Sequence, residues 1–126
     1  MKLPKAARLR RRREYLAVQD RGARLYTGDL LVLCGGAAPD RPRIGITVSS
    51  KVANAVGRNR VKRWVREAFR EIQHELPPVD LVVIARSGAL VRGLPGARLA
   101  LGAARDALKR RGVPPSPTTP GRGATP

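Results

Sequence analysis

The chain has 126 residues, 42% of them apolar, and sets 26 Lys+Arg against 9 Asp+Glu for a formal net charge of +17. That length suits one domain around one core, and the apolar share excludes a disordered polymer. An excess of this size selects polyanions as partners, and no apolar run approaches the roughly 18 residues of a spanning helix, so a membrane role is set aside.

Residues 1–13 hold seven cations and no acid, and read as a flexible basic arm that orders on a partner. The arm lacks the apolar stretch of a signal peptide, so the expected location is cytoplasmic. Residues 14–21 suggest a short helix with Tyr15, Leu16 and Val18 on its apolar side and Gly22 as its C-cap. Residues 29–34 read as a strand ending at Cys34, closed by Gly35-Gly36 and a loop through Pro39-Asp40. Cys34 is the only cysteine, which excludes an internal disulfide and a thiolate zinc site and marks it as a small buried hydrophobe. Residues 43–49 form a second strand, in which Ile44, Ile46 and Val48 alternate with Gly45, Thr47 and Ser49. A hairpin between these two strands is the simplest pairing.

The next segment, residues 58–75, is the most informative. Val61, Trp64, Val65, Ala68, Phe69, Ile72 and Leu76 recur at the i, i+3, i+4, i+7 spacing of an apolar helix stripe. At about 100° per residue, Arg58, Lys62, Arg66 and Arg70 climb the flank of that stripe, with Asn59 and Arg63 in the same sector. Like charges at i, i+4 oppose a helix by roughly 0.2–0.5 kcal/mol per pair, and the first turn favours acids over Arg58 and Arg60. A segment that breaks local rules this consistently answers to a ligand, and a row of phosphates fits it. Arg supplies a planar fork for bidentate phosphate contact. Asn59 suits either a hydrogen bond to a sugar or base edge or a backbone cap near the helix start. The Ser49-Ser50-Lys51 loop ahead of the helix has no acid beside it and offers backbone N–H groups to an anion.

Pro77-Pro78 stops the helix. Residues 80–86 are a β-branched run expected of a central strand buried on both faces. Residues 97–110 read as the last helix, with Leu101, Ala104 and Leu108 inward, and residues 112–126 hold five prolines and read as a disordered tail. The order is α-β-β-α-β-α: a small α+β sandwich with helices packed on one sheet, its globular domain over residues 14–111.

No catalytic group stands out. Glu67, Glu71 and Glu75 recur every fourth residue beside Arg60, Arg63 and Arg70, so pairing along the helix surface explains them better than a metal cage. His74 is the only histidine and has no Ser or Cys partner in a recognisable arrangement. Trp64 and Phe69 read as core. A DNA-binding helix-turn-helix needs two helices joined by a short turn, whereas strands flank this basic helix on both sides. Charge and composition alone leave a ribosomal or general structured-RNA-binding role open.

The Arg58-Asn59-Arg60 triplet followed by Lys62-Arg63 and Arg66, preceded by Gly45-Ile46-Thr47-Val48-Ser49-Ser50-Lys51 and Ala55-Val56, resembles the protein component of bacterial ribonuclease P. The flanks agree: Arg8-Leu9, Glu14-Tyr15 and Val18 before Gly22, and Asp80-Leu81-Val82-Val83-Ile84-Ala85-Arg86 after the helix. The resemblance runs from about Arg8 to Arg110. It implies a left-handed β-α-β crossover around the basic helix, against the right hand of about 98% of such connections. It further implies a subunit of a ribonucleoprotein endonuclease whose catalyst is a large RNA. The protein assists that RNA, with Mg2+ bound mainly by the RNA, in removing the 5′ leader from precursor tRNA. Lys51, Arg58, Asn59, Arg60, Lys62, Arg63, Arg66 and Arg70 would then face the catalytic RNA, and Tyr15, Arg8 and Arg12 the single-stranded leader. Ser50 departs from the family's usual lysine. Gln19 and Leu33 replace frequent cleft aromatics, each ring being worth roughly 1–3 kcal/mol of base stacking.

Overall fold

The structure is a computed structural model that describes residues 23–26, 28–37 and 40–113. The expected arm over residues 1–13, the short helix over 14–21 with its Gly22 cap, and all but the first two residues of the tail lie outside the described residues.

Four strands form one sheet: β1 (Ala23–Tyr26), β2 (Leu30–Ala37), β3 (Arg43–Val48) and β4 (Val79–Ala85). Their spatial order is β1-β2-β4-β3. β2 runs antiparallel to both β1 and β4, and β3 runs parallel to β4. The hairpin expected between the second and third strands therefore does not form. β4 takes an interior place beside β2 and buries Val79, Leu81, Val83 and Ala85 on one face and Val82 on the other, as β2 buries Leu30, Val32 and Cys34 on one face and Leu31 and Leu33 on the other. A strand with two apolar faces gains most between two neighbours, so both lie inside the sheet and β4 separates β2 from β3. β1 went unread because its four residues, Ala-Arg-Leu-Tyr, are too short to display alternation. Cys34 is buried within β2, which continues past it to Ala37 through an irregular register rather than ending there.

Two helices cover one face of the sheet. α1 (Ala55–Ile72) follows β3 and continues into a 3-10 turn at Gln73–Glu75, and α2 (Ala89–Arg111) follows β4. α1 starts three residues before the expected Arg58 because Asn54 is its N-cap, with Oδ1 accepting a 2.8 Å bond from the Gly57 amide. Gly57 is needed for close approach: a Cβ there would lie 2.7 Å from the Ala53 Cβ and 3.4 Å from Leu90 Cδ2. α2 likewise begins earlier than residue 97. Its first turn is offset by a kink at Gly93 (φ 62°, ψ −154°), and Pro95 opens the next segment, where a missing N–H costs little.

The core lies between helices and sheet. Val61, Val65, Ala68 and Phe69 of α1 meet Ala97, Ala100, Leu101, Ala104 and Leu108 of α2 over Val32, Ile44, Leu81 and Val83. Phe69 is fully buried, whereas Trp64 packs against the core only half-buried. Each fully buried side chain of this size contributes about 1.5–3 kcal/mol of transfer free energy. Leu31, Leu33 and Val82, with Ile84, form a second apolar cluster on the opposite face of the sheet. Among the described residues no helix is long and apolar enough to cross a membrane.

Candidate nucleic-acid interface

α1 lies on β3, an edge strand, with α2 on its other side. Its polar surface therefore divides into a flank toward α2 and a flank away from it. At about 100° per residue, Glu67 and Glu71 fall on the first and Lys62, Arg66 and Arg70 on the second, with Asn59 and Arg63 next to them.

Carboxylates follow the same division. Arg98 of α2 grips Glu71 through Nε and Nη2 at 3.0 and 2.8 Å. Lys109 and Arg105 each reach Glu75 at 3.5 Å, and Arg105 also meets Asp106 at 3.1 Å. At the other end of α2, Arg92 pairs with Asp29 at 2.7 Å. Within the sheet Arg43 holds Asp80 by two bonds of 2.8 Å. The expectation that the α1 glutamates pair with Arg60, Arg63 and Arg70 on their own helix is thus corrected: Glu71 and Glu75 bind cations of α2. Inter-helix partners win because α2 presents Arg98, Arg105 and Lys109 directly across the contact. Glu67 makes no ion pair among the described residues. The Arg98 hydrogen bond holds the Glu71 carboxyl below its ordinary value, and the same bond raises the Arg98 guanidinium.

Arg60, Lys62, Arg63, Arg66 and Arg70 have no carboxylate partner among the described residues. Arg60 and Arg63 are exposed, and Lys62, Arg66 and Arg70 are half-exposed. Asn59 is exposed in the second turn, and the capping role belongs to Asn54. Lys51 is exposed in the preceding loop, where its amide meets Ser49 Oγ at 3.3 Å and the Val52 amide donates to the Ser49 carbonyl at 3.0 Å. Arg58 differs from the rest: half-buried, it donates from Nη1 to the Ala53 carbonyl at 3.0 Å. Sequence reasoning did not anticipate this bond, since nothing in residue type marks a backbone carbonyl as acceptor. Tyr15, Arg8, Arg12 and Gln19 lie outside the described residues, and Leu33 is buried in the second apolar cluster.

The arrangement suits the binding of a polyanion. Among the described residues no three His, Cys, Asp or Glu side chains converge to hold a metal ion. His74 is exposed, with Nε2 3.8 Å from Glu75. The described side chains thus do not fit a magnesium cage. An unneutralised cationic flank above a sheet edge can engage consecutive phosphates, each contact releasing counterions.

Known proteins point the same way. The family model for ribonuclease P matches residues 3–109. The ribonuclease P protein component of Gluconacetobacter diazotrophicus is 44% identical over 112 residues, covering 86% of this chain and 94% of that protein. That of Xanthomonas oryzae pv. oryzae is 40% identical over 121 residues, covering 95% and 81%. Among solved structures, the RNase P protein of Thermotoga maritima superposes with a TM-score of 0.67 at 35% identity, covering 82% of this chain and 96% of its own. The Staphylococcus aureus RNase P protein gives 0.71 at 28% identity, covering 83% and 97%. With the matched segment spanning the whole sheet, α1 and all but the last two residues of α2, the chain belongs to the ribonuclease P protein family.

Proposed function

We propose that the unpaired flank of α1, with Asn59, Lys62, Arg63, Arg66 and Arg70, together with exposed Arg60 beyond it and Lys51 of the preceding loop, is the surface by which this chain holds the RNA subunit of ribonuclease P. Family membership makes the chain a protein subunit of that ribonucleoprotein endonuclease, which matures the 5′ ends of tRNA, and gives it an RNA subunit as partner. It also separates this reading from a general RNA-binding role, which charge alone leaves open.

One observation carries the proposal: the carboxylates Asp29, Glu71, Glu75, Asp80 and Asp106 pair with cations of α2 and β3, and none with the α1 row. A cationic row left without counter-charge repels itself and costs stability, which a polyphosphate partner offsets. Bound there, the guanidiniums relieve phosphate repulsion where the RNA folds around its magnesium ions. Magnesium supplies the charge stabilisation of strand cleavage from within the RNA, with no ligand from the described side chains. The 5′ leader of precursor tRNA is read by Tyr15, Arg8 and Arg12, an assignment supported by family resemblance. The setting is cytoplasmic.

The test is reconstitution. Adding the protein to its cognate catalytic RNA should lower the magnesium concentration needed to process precursor tRNA. An unchanged requirement, in a preparation shown to bind the RNA, would refute the proposal.

A further inference from the structure

The cations of α1 do not all have the same surroundings. Arg58 lies within about 20° of Val65 around the helix, on the inward sector, because seven residues at about 100° return almost to the starting angle. From there its Nη1 reaches back to the Ala53 carbonyl at 3.0 Å. That carbonyl belongs to the loop over residues 49–54, which is held at several further points. The Val52 amide donates to the Ser49 carbonyl, Val52 packs against the core, and Asn54 Oδ1 accepts from the Gly57 amide. Among the described residues the Ala53 carbonyl takes no other hydrogen bond, so the guanidinium supplies the bond that ties Ala53 itself to the helix, beside the two that Asn54 makes with the Gly57 and Arg58 amides. Lys51, exposed and without a carboxylate partner among the described residues, rides on this loop.

We infer that Arg58 is a positioning residue, which fixes the loop over residues 49–54 so that Lys51 meets RNA phosphate in a set geometry. The inference rests on the reading of α1 and its loop as the RNA face. Charge-assisted bonds from a planar fork to a carbonyl are stronger than neutral ones, and a fixed loop loses less freedom on binding than a mobile one. Arg58 then acts on RNA binding through Lys51 rather than beside it.

A double-mutant cycle on the full chain, titrated against the cognate catalytic RNA at several salt concentrations, separates the two roles. If Arg58 acts through Lys51, Lys51→Ala, Arg58→Ala and the double variant each lower the salt slope by about one unit, since all three lose the same contact. Two independent phosphate contacts would lower the slope of the double variant by about two units, and that result overturns the inference. Lys51→Ala combined with Arg66→Ala is the additive control, losing about two units. Should Lys51→Ala be silent while Arg66→Ala weakens binding, the inference fails and the RNA face stands. Should both be silent, the RNA face itself fails. Amide exchange gives a readout free of RNA: in Arg58→Ala the Val52 amide exchanges faster while amides around Val65 keep their protection. Unchanged exchange at Val52 overturns the inference.

Discussion

Arg98 and Glu71 meet through two parallel hydrogen bonds, Nε to Oε1 at 3.0 Å and Nη2 to Oε2 at 2.8 Å, joining the last helix to the basic one. The pair does two things for the site. It fixes α1 against α2 by a bidentate side-on fork, which adds geometric specificity to the attraction of charge. It also engages both Glu71 carboxylate oxygens, so that Arg70, the chain neighbour, makes no ion pair with a carboxylate among the described residues.

The link between Arg98 and Glu71 should carry a pH signature. Its hydrogen bond lowers the Glu71 carboxyl from an ordinary value of 4.5. A group depressed in the folded state stabilises it above the unfolded value, and that contribution disappears as pH falls through the folded value. The stability gap between the native chain and Glu71→Gln should thus be constant from pH 7 to about 5 and close as pH drops below about 4. Both side chains are largely exposed, so the gap is modest and shrinks with salt. Urea titrations across that range measure it, and a gap independent of pH would contradict the assignment.

Paired and unpaired arginines should behave differently toward RNA. Arg66→Ala should reduce the slope of log affinity against log salt by about 0.7–0.9 unit, one phosphate contact. Arg98→Ala removes the same formal charge, yet its guanidinium is engaged by Glu71, so the slope should stay near the native value. Equal slope losses for both variants would mean that net charge alone, and not the division of the two flanks, governs binding.

Phe69 tests the apolar half of the same helix. It is fully buried between α1, α2 and the sheet. Phe69→Ala should cost about 3–5 kcal/mol, a large fraction of the roughly 5–15 kcal/mol available to a domain of this size. Thermal melting would register it as a strongly lowered midpoint, and a melt near the native one would place Phe69 outside the core.

The periodic parts of this chain were legible because period and burial are the same fact seen twice. The α1 stripe predicted the buried Val61, Val65, Ala68 and Phe69, and the β-branched run predicted a strand buried on both faces. Pairing was not legible: β2 and β3 are consecutive, yet β4 lies between them, since sheet order depends on which strands have two apolar faces rather than on chain order. Both helices start ahead of the periodic residues that marked them. At Gly57 the glycine permits close packing, and at Gly93 a kink joins two helical segments. Residue spacing placed the cations on one flank but did not reveal that α2 claims the glutamates, because that depends on the contact between helices.

Gly57→Ala decides whether the start of α1 is set by close packing. Ala favours a helix interior over Gly by about 0.8–1.0 kcal/mol, which alone predicts stabilisation. Against that, the new methyl would sit 2.7 Å from the Ala53 Cβ, with Leu90 Cδ2 at 3.4 Å. Neither the loop backbone nor the helix can yield freely, since the Gly57 amide and the Arg58 guanidinium are bonded to Asn54 and Ala53. Overpacking of this kind costs typically 1–3 kcal/mol, so the net change should be a loss of about 1 kcal/mol in denaturant titration. Ala53→Gly in the same chain removes the opposing methyl and should recover most of the loss. If Gly57→Ala instead stabilises the fold, propensity outweighs the contact, and the glycine serves some purpose other than bringing Ala53 and Leu90 against the helix.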